Sequence, residues 1–267
     1  MLFPRILSAI VMAALFICAV FILGPTSFML AMGAVVLVAG WEWARLSGVQ
    51  SVLARLVFAI VIAGLCFAVH VWGWQKSILY VAPLVWLIAL YWVVCYPSLK
   101  LWRFSLSRIV LGALVLTTTW SAMVVLKESN NFVVWVLVLM GLIWGADSGA
   151  YFSGKAFGKH KLAPKVSPGK SWEGVLGGLV FTQIGVALFS YQVGFDVRAW
   201  GILVIIGLVT VFVSILGDLM ESLLKRHESM KDSSHLIPGH GGVMDRVDSL
   251  TAAAPIFVLL LTIFGWL

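Results

Sequence analysis

Long apolar runs, each separated from the next by a short polar connection, constrain this 267-residue chain more than any other feature of its sequence. A helix needs about 20 mostly apolar residues to cross the hydrocarbon core of a bilayer, where backbone groups must satisfy one another. We count nine such runs and predict an all-α fold, a polytopic integral membrane helical bundle of about nine transmembrane helices. The runs lie near 6–23, 26–43, 53–73, 78–96, 109–126, 132–152, 173–194, 199–218 and 249–267.

The composition supports the bilayer as the solvent for most of the chain. Hydrophobic residues make up 62% and charged residues 11%, and mean hydropathy is +1.07, whereas soluble domains carry about 25% charged residues. The first run follows Arg5 as a signal peptide would, but Gly24 and Pro25 lead directly into another apolar run, so we interpret it as a retained helix. We expect a single membrane domain, with helices 1–5 in residues 1–130 and helices 6–9 with two polar loops in residues 131–267.

The basic residues follow the alternation of loops between the two membrane faces. With nine helices, 15 of the 18 Lys and Arg residues fall on the side of the N-terminus. Only Lys76, Lys127 and Arg198 fall on the other side. The positive-inside rule therefore predicts a cytoplasmic N-terminus and an outside C-terminus. These loops account for the net charge of +7, and we expect no nucleic-acid partner.

Two acidic residues lie in apolar runs that end on the predicted cytoplasmic side. Asp147 lies within the sixth run and Asp218 lies at the end of the eighth. A carboxylate near hydrocarbon costs about 3 kcal/mol on insertion scales, so it requires a partner, water or a metal ion. The alternative is that both helices reach the headgroup layer, where the carboxylates are hydrated.

A first polar loop, residues 151–174, contains five lysines separated by Gly, Ser and Pro. Its ammonium groups, hydroxyls and backbone N–H groups are suitable ligands of a polyphosphate. Gly169-Lys170-Ser171 resembles the end of a P-loop, but Pro164 occupies the position of the required glycine, so we reject a Walker motif. The alternative is a basic loop that contacts anionic lipid.

A second polar loop, residues 222–248, combines basic pairs, three histidines and four acidic residues around a glycine-rich turn. Asp245 and Asp248 are three residues apart at the start of a helix and therefore lie on one face. Together with Asp218 they can form an oxygen cage for a hard cation such as Mg²⁺.

The histidines of the second loop leave zinc as an alternative metal. His235 and His240 are candidate ligands, but the chain has neither an HExxH motif nor a Cys ligand pair. We therefore retain His240 only as a residue that shapes the loop or contacts phosphate.

Cationic phosphate ligands, acidic metal ligands and an apolar body together suit phosphoryl or nucleotidyl transfer. That chemistry depends on positioning and charge neutralisation rather than on a protein nucleophile. A membrane enzyme of this class takes one substrate from the lipid and the other from the cytosol. A transporter is the non-enzymatic alternative, but transporter sites lie near the bilayer midplane, whereas these acidic residues gather at one face.

The second loop also carries a long pattern of fixed positions. They are Ser222, Lys225-Arg226, Lys231-Asp232, Pro238, His240-Gly241-Gly242, Asp245-Arg246 and Asp248. At this spacing the 27-residue segment closely resembles the signature of the phosphatidate cytidylyltransferase (CDP-diacylglycerol synthase) family. Other parts of the chain are similar to the family at Trp41-Glu42-Trp43, Arg45-Leu46, Asp147, Tyr151, Gly154-Lys155, Phe157-Gly158, Ser167-Pro168, Lys170 and Glu173-Gly174.

The resemblance implies a transferase of phospholipid biosynthesis in the bacterial inner (plasma) membrane, with its active site facing the cytoplasm. CTP and phosphatidate would give CDP-diacylglycerol and pyrophosphate, with Mg²⁺ required and room for a second cation. The lipid phosphate is anionic at neutral pH and would attack the α-phosphorus of CTP without a general base. The choice of cytosine over other bases rests on the resemblance alone.

The resemblance also implies roles for individual residues. Asp218 and Asp245, supported by Asp248, would be metal ligands. Asp147 would complete the metal shell or anchor the loop lysines. The other expected substrate-binding residues are Lys155, Ser167, Lys170 and Ser222. The expected catalytic residues, among which the basic ones hold phosphates or offset the charge of pyrophosphate, are Lys225, Arg226, Lys231, Asp232, His240 and Arg246.

A second enzyme class and an oligomer are also considered. The CDP-alcohol phosphotransferases carry a run of aspartates around DG-x-x-AR, and this chain has no such motif. Small residues at Gly174, Gly177 and Gly178 permit close helix packing and, with it, a homodimer.

Overall fold

The computed structural model describes residues 3–98 and 101–267 of the chain. Within these two ranges, nine helical segments are long and apolar enough to cross a bilayer, which confirms the predicted all-α membrane bundle. The helices are α1 Phe3–Phe21, α2 Pro25–Leu46, α3 Val52–Val71, α4 Gln75–Ile78, α5 Ala82–Cys95, α6 Ser105–Glu128, α7 Phe132–Phe157, α8 Trp172–Val193, α9 Val197–His227 and α10 Met244–Ile263.

The fourth span consists of α4, a 3₁₀ turn at Leu79–Val81 and α5, and it runs from Gln75 to Cys95. Pro83 lies in the first turn of α5, where its missing N–H breaks no helical hydrogen bond. A second 3₁₀ turn, Leu101–Arg103, precedes α6. Lys100, one of the fifteen basic residues counted on the N-terminal side, lies outside the described residues.

Helix α6 lies at the centre of the bundle and α1 lies at its edge. In its most apolar stretch, 78% of the residues of α6 are buried by protein, against 6% for α1. Helices α2 and α10 pack on α6, and α9 packs along α10. Both clusters of buried apolar side chains combine residues from 1–130 and 131–267, so the two parts proposed from the sequence pack against each other.

Helices α7 and α8 approach each other closely through glycines. A side chain at Gly177 would overlap Ser153, and one at Gly178 would lie 2.7 Å from the carbonyl oxygen of Ala146. A side chain at Gly174 would lie 3.0 Å from the carbonyl oxygen of Ala150. These small residues therefore serve packing within the chain, and the homodimer stays a prediction without their support.

Two predicted helix ends were wrong. Helix α9 continues nine residues beyond 218, so Ser222 and the Lys225-Arg226 pair lie on a helix and not in a loop. Helix α7 continues to Phe157 and includes Lys155. Basic residues in the last turn of a helix interact favourably with the helix dipole. The predicted spans ended too early because they were defined by apolar residues, and these last turns are polar.

The first predicted loop contains a small hairpin. Strand β1, Lys161–Ala163, pairs antiparallel with β2, Ser167–Ser171. Ser167 and Lys170 therefore lie on a strand. The hydroxyl of Ser171 then accepts a hydrogen bond from the backbone N–H of Gly174, which caps the start of α8.

The two polar segments meet at one end of the bundle. Arg226 Nε donates to the carbonyl oxygen of Val166, at 3.3 Å, which ties α9 to the hairpin. Arg45 Nη1, on α2, donates to the carbonyl oxygen of Ser233, at 2.7 Å. The alternation of loops predicts the same membrane face for these segments, and in the structure they contact one another. The assignment of that face to the cytoplasm stays a prediction.

Candidate active site

Five carboxylates from three helices gather at this polar end of the bundle. Asp147 belongs to α7, Asp218 and Glu221 belong to α9, and Asp245 and Asp248 belong to α10. The last two pairs are each one helical turn apart, which places their side chains on one face of the helix. The sequence had indicated four of the five, and Glu221 is the addition.

Close packing of α9 on α10 brings these pairs together. A side chain at Gly217 would lie 2.5 Å from the carbonyl oxygen of Asp248 and 3.0 Å from Ala252. The missing side chain lets the two backbones approach. Asp218 follows Gly217 directly on α9, and its charge interacts with the carboxylate of Asp248.

Lys170 reaches from the hairpin to α9. Its Nζ lies 2.6 Å from Oδ2 of Asp218, in an ion pair that is partly open to solvent. Oδ1 of the same carboxylate accepts a hydrogen bond from Ser222 Oγ, at 3.2 Å. Lys170 and Ser222, both expected to bind substrate, therefore lie against one expected metal ligand.

Lys225 joins α9 to α10. Its Nζ donates to Oε2 of Glu221, at 2.6 Å, and to Oδ1 of Asp245, at 2.8 Å. Glu221 is 1% exposed, and its other oxygen, Oε1, has no hydrogen-bond partner among residues 3–98 and 101–267. A buried carboxylate oxygen without a donor is costly, so this atom is available to a cation.

Asp245 also organises the loop that precedes α10. Its Oδ2 accepts hydrogen bonds from the backbone N–H and the hydroxyl of Ser233, at 2.9 and 2.8 Å. The N–H of Gly242 donates to the same oxygen at 2.8 Å. Both carboxylate oxygens of Asp245 are therefore engaged by the protein.

The predicted oxygen cage is not closed by the protein alone. In the described part of the chain, no three His, Cys, Asp or Glu side chains converge tightly enough to hold a metal ion. The donor set nevertheless fits a hard cation, since it consists of carboxylates and includes the unpartnered Oε1 of Glu221. The assignment of Asp218, Asp245 and Asp248 as metal ligands stays a prediction.

His240 has a structural partner on α1. Its Nδ1 lies 2.7 Å from Ser8 Oγ, and its carbonyl oxygen accepts a hydrogen bond from Arg246 Nε, at 3.1 Å. Among the described residues His235, which is exposed, forms no metal-binding group with it. This geometry favours the loop-shaping role over the zinc alternative.

Several other candidate residues lie around the cluster. Lys155 is exposed and its ammonium lies 5.9 Å from the centre of the Tyr151 ring. Lys231 is exposed in the loop before α10, where Asp232 is half-buried. Ser167 is half-buried on β2. None of these four residues is a partner in the hydrogen bonds and ion pairs of Asp218, Glu221 and Asp245.

Asp147 lines two cavities. A cavity of about 200 Å³ is formed by α7, β2 and the start of α8, and its polar lining includes Tyr151 and Lys170. A cavity of about 680 Å³ extends among α1, α2, α7 and α10, with apolar walls and a polar end at Asp245 and Arg246. The carboxylate therefore belongs to the walls of both cavities, the smaller one with Lys170 and the larger one with Arg246.

Two residues of α2 contact the site, although no role was predicted for them. Glu42 is fully buried beneath the loop that precedes α10, and Arg45 holds the carbonyl oxygen of Ser233 in that loop. Their partners lie about 190 residues further along the chain. A local sequence pattern therefore could not indicate these contacts.

Comparison with known proteins agrees with the resemblance seen in the sequence. The model of the Cytidylyltransferase family matches residues 3–264. The phosphatidate cytidylyltransferase of Pseudomonas aeruginosa is 45% identical over 271 residues, which cover 100% of this chain and 99% of that protein. The protein of the same name from Haemophilus influenzae is 41% identical over 286 residues, covering 96% and 97%. The phosphatidate cytidylyltransferase of Bacillus subtilis is 43% identical over 127 residues, which cover 46% of this chain and 46% of that protein. The chain therefore belongs to the cytidylyltransferase family.

Proposed function

We propose that this chain is a phosphatidate cytidylyltransferase, which makes CDP-diacylglycerol and pyrophosphate from CTP and phosphatidate. The structural observation that supports it best is the position of Asp147 in the walls of two cavities, a smaller one that contains Lys170 and a larger one that contains Arg246. A reaction between a water-soluble nucleotide and a lipid needs two such compartments that share one wall. Membership of the cytidylyltransferase family and the name shared by its full-length relatives support the same activity.

The larger cavity suits the lipid substrate. Its walls include Met12 and Phe16 of α1 and Trp144 of α7, while Arg246 lies at the polar end. An apolar wall accommodates acyl chains, and a guanidinium binds a phosphate through several hydrogen bonds. Phosphatidate would therefore place its acyl chains along α1 and α7 and its phosphate toward Arg246.

The smaller cavity suits the triphosphate of CTP. Lys170 lies in its lining beside the backbone of Gly169 and Gly154. Lys155 and Ser167 lie on α7 and β2, two of the elements that form this cavity, and would bind the outer part of the triphosphate. The ion pair between Lys170 and Asp218 shows that this ammonium is directed toward the carboxylates, where the reacting phosphates would meet.

The transfer needs few protein groups. An oxygen of the lipid phosphate forms a bond to the α-phosphorus of CTP, and the bond from that phosphorus to the β-phosphate oxygen breaks. Pyrophosphate leaves with the electron pair, and no proton is removed because a phosphate monoester is already anionic at neutral pH. Lys170, Lys225 and Arg246 would offset the negative charge that gathers between the substrates.

Magnesium is part of the proposal. Asp218, Asp245 and Asp248 would hold it, with Asp147 near the same place, and a second cation is compatible with the unpartnered oxygen of Glu221. When bound, Mg²⁺ supplies charge neutralisation for the phosphate oxygens. The proposed location is the bacterial inner membrane, with this face toward the cytoplasm, where CTP is available.

A pyrophosphate-release assay on the purified, detergent-solubilised chain tests the activity. We expect release from CTP only when phosphatidate and Mg²⁺ are both present, with little release from ATP, GTP or UTP. Release from CTP without lipid would contradict the reaction. Full activity in excess chelator would contradict the metal requirement, and equal rates with all four nucleotides would contradict the choice of CTP.

A further inference from the structure

We propose that Glu42 of α2 is a positioning residue for this reaction. In this role it holds the 233–243 loop and the first turn of α10 in the arrangement that presents Asp245 and Lys225 to the substrates. The inference rests on the proposed function for its kinetic consequences. The contacts that carry it are independent of any substrate.

The carboxylate of Glu42 is fully buried and has four donor groups within hydrogen-bond distance. Ser234 Oγ and the N–H of Val243 donate to Oε1 at 2.5 and 3.0 Å. Ser233 Oγ and the N–H of Met244 lie 3.1 and 2.6 Å from Oε2. A buried charge is tolerated only when donors replace its lost hydration, and here all of these donors belong to the loop and to α10.

Two of these donors belong to the start of α10. The first N–H groups of a helix have no partner within the helix, and the helix dipole favours a negative charge beside them. Val243, which precedes α10, has an apolar side chain that cannot accept their hydrogen bonds. Glu42 therefore caps a helix that lies about 200 residues away in the chain, and it fixes the position of Asp245 in the first turn of that helix.

Ser233 connects Glu42 directly to Asp245. Its hydroxyl lies 3.1 Å from Oε2 of Glu42 and 2.8 Å from Oδ2 of Asp245. A hydroxyl has a single proton to donate, so the two carboxylates share one donor and their positions are coupled. From Asp245 the network continues to Lys225 and Glu221 on α9.

The loop passes so near Glu42 that it has no room for a side chain at one position. A side chain at Gly242 would overlap both the carboxylate of Glu42 and the hydroxyl of Ser233. Glu42 lines neither of the two cavities beside Asp147. It therefore acts on the reacting groups only through the loop and α10, which defines a positioning role rather than a catalytic one.

The variant Glu42→Gln tests the proposal with little change in shape. In this variant an amide NH₂ replaces one acceptor oxygen of Glu42. The hydroxyl and N–H groups that donate to that oxygen in the wild type would then face another hydrogen-bond donor. We expect kcat to fall at least tenfold. The KM for CTP should stay within threefold, because Glu42 does not line the cavity that contains Lys170. The matched control is Glu128→Gln, the same change at an exposed position at the other end of the bundle.

Hydrogen–deuterium exchange in detergent provides a readout that needs no substrate. Exchange in 233–246 should accelerate in Glu42→Gln, while α6 and α8 exchange as in the wild type. Ser234→Ala, which removes one donor and leaves Ser233 in place, should produce a smaller change of the same kind.

Two results would overturn the positioning role. One is a kcat of Glu42→Gln within twofold of the Glu128→Gln control. The other is faster exchange across the whole bundle, which would mean a general loss of stability. A wild-type protein that releases no pyrophosphate from CTP would contradict the proposed function instead, and the exchange in 233–246 would still decide whether Glu42 holds the loop.

Discussion

Asp245 makes contacts in two directions, to Lys225 on α9 and to the loop before α10. In Asp245→Asn, one oxygen becomes an NH₂ that meets either the ammonium or the backbone donors, and the negative charge near the substrates is lost. We expect kcat to fall by roughly 100-fold or more, the scale of removing one preorganised electrostatic group. Pyrophosphate release measures it.

The control is Asp196→Asn. Asp196 caps the start of α9 at the opposite end of the bundle, and asparagine caps a helix equally well. This control should keep the wild-type rate. A near-normal kcat in Asp245→Asn, with the control unchanged, would remove Asp245 from the active site.

Kinetics can also test whether Lys170 binds the triphosphate of CTP. Lys170→Met removes the ammonium that lies 2.6 Å from Asp218 and lines the smaller cavity. We expect the KM for CTP to rise about tenfold, the loss of one charge-assisted contact to phosphate. Lys165→Met, at an exposed position between the hairpin strands, should leave the KM unchanged. Equal KM values in both variants would contradict a triphosphate site at Lys170.

The functional role of a residue could be predicted where its contact partners are near in the sequence or where an acidic residue interrupts an apolar run. Asp147 and Asp218 stood out because charge is expensive in such runs. Glu42 stood in the same kind of run, but its partners lie near the other end of the chain. Its role therefore required the packing of α2 against α10, which no local spacing encodes.

At the scale of elements, the nine spans were predictable because hydrocarbon requires long apolar helices. Their ends were not predictable, because the last turns of α7 and α9 are polar and lie beyond the apolar run. The hairpin of β1 and β2 was missed because strands of three and five residues are too short to show a period. The two helical turns carry Lys155 and Lys225, and the hairpin carries Lys170.

The spacing of α9 and α10 gives a prediction for an element. In Gly217→Ala the added methyl group would lie 2.5 Å from the carbonyl oxygen of Asp248, so the helices must separate. Overpacking of this kind lowers the free energy of unfolding by about 1–3 kcal/mol. It should also lower kcat, since Asp218 and Asp248 would move apart. Thermal unfolding in detergent and pyrophosphate release measure the two effects.

Gly201→Ala is the matched control on the same helix. A side chain at Gly201 meets no atom of the described residues within 4 Å, and alanine favours a helix over glycine by about 1 kcal/mol. The control should therefore be neutral or stabilising. Equal melting temperatures for Gly217→Ala and the wild type would show that α9 and α10 tolerate a wider spacing.

For the whole molecule, the two ends of the bundle differ in composition as well as in contacts. The hairpin, the loop before α10 and the end of α2 meet at the end that is rich in Lys and Arg. At the other end, Trp266 near the C-terminus stacks on Trp135 at the start of α7, with ring centres 5.4 Å apart. The C-terminus therefore lies at the end opposite to the candidate active site.

The positive-inside rule then predicts the orientation of the whole molecule. Alkaline phosphatase folds only where its disulfides can form, outside the cytoplasm. A fusion after Leu267 should therefore be active in bacterial cells, whereas a fusion after His160 in the first polar segment should be inactive. The reverse pattern would place the carboxylate cluster outside the cytoplasm, away from CTP, and would contradict both the orientation and the proposed use of a cytosolic nucleotide.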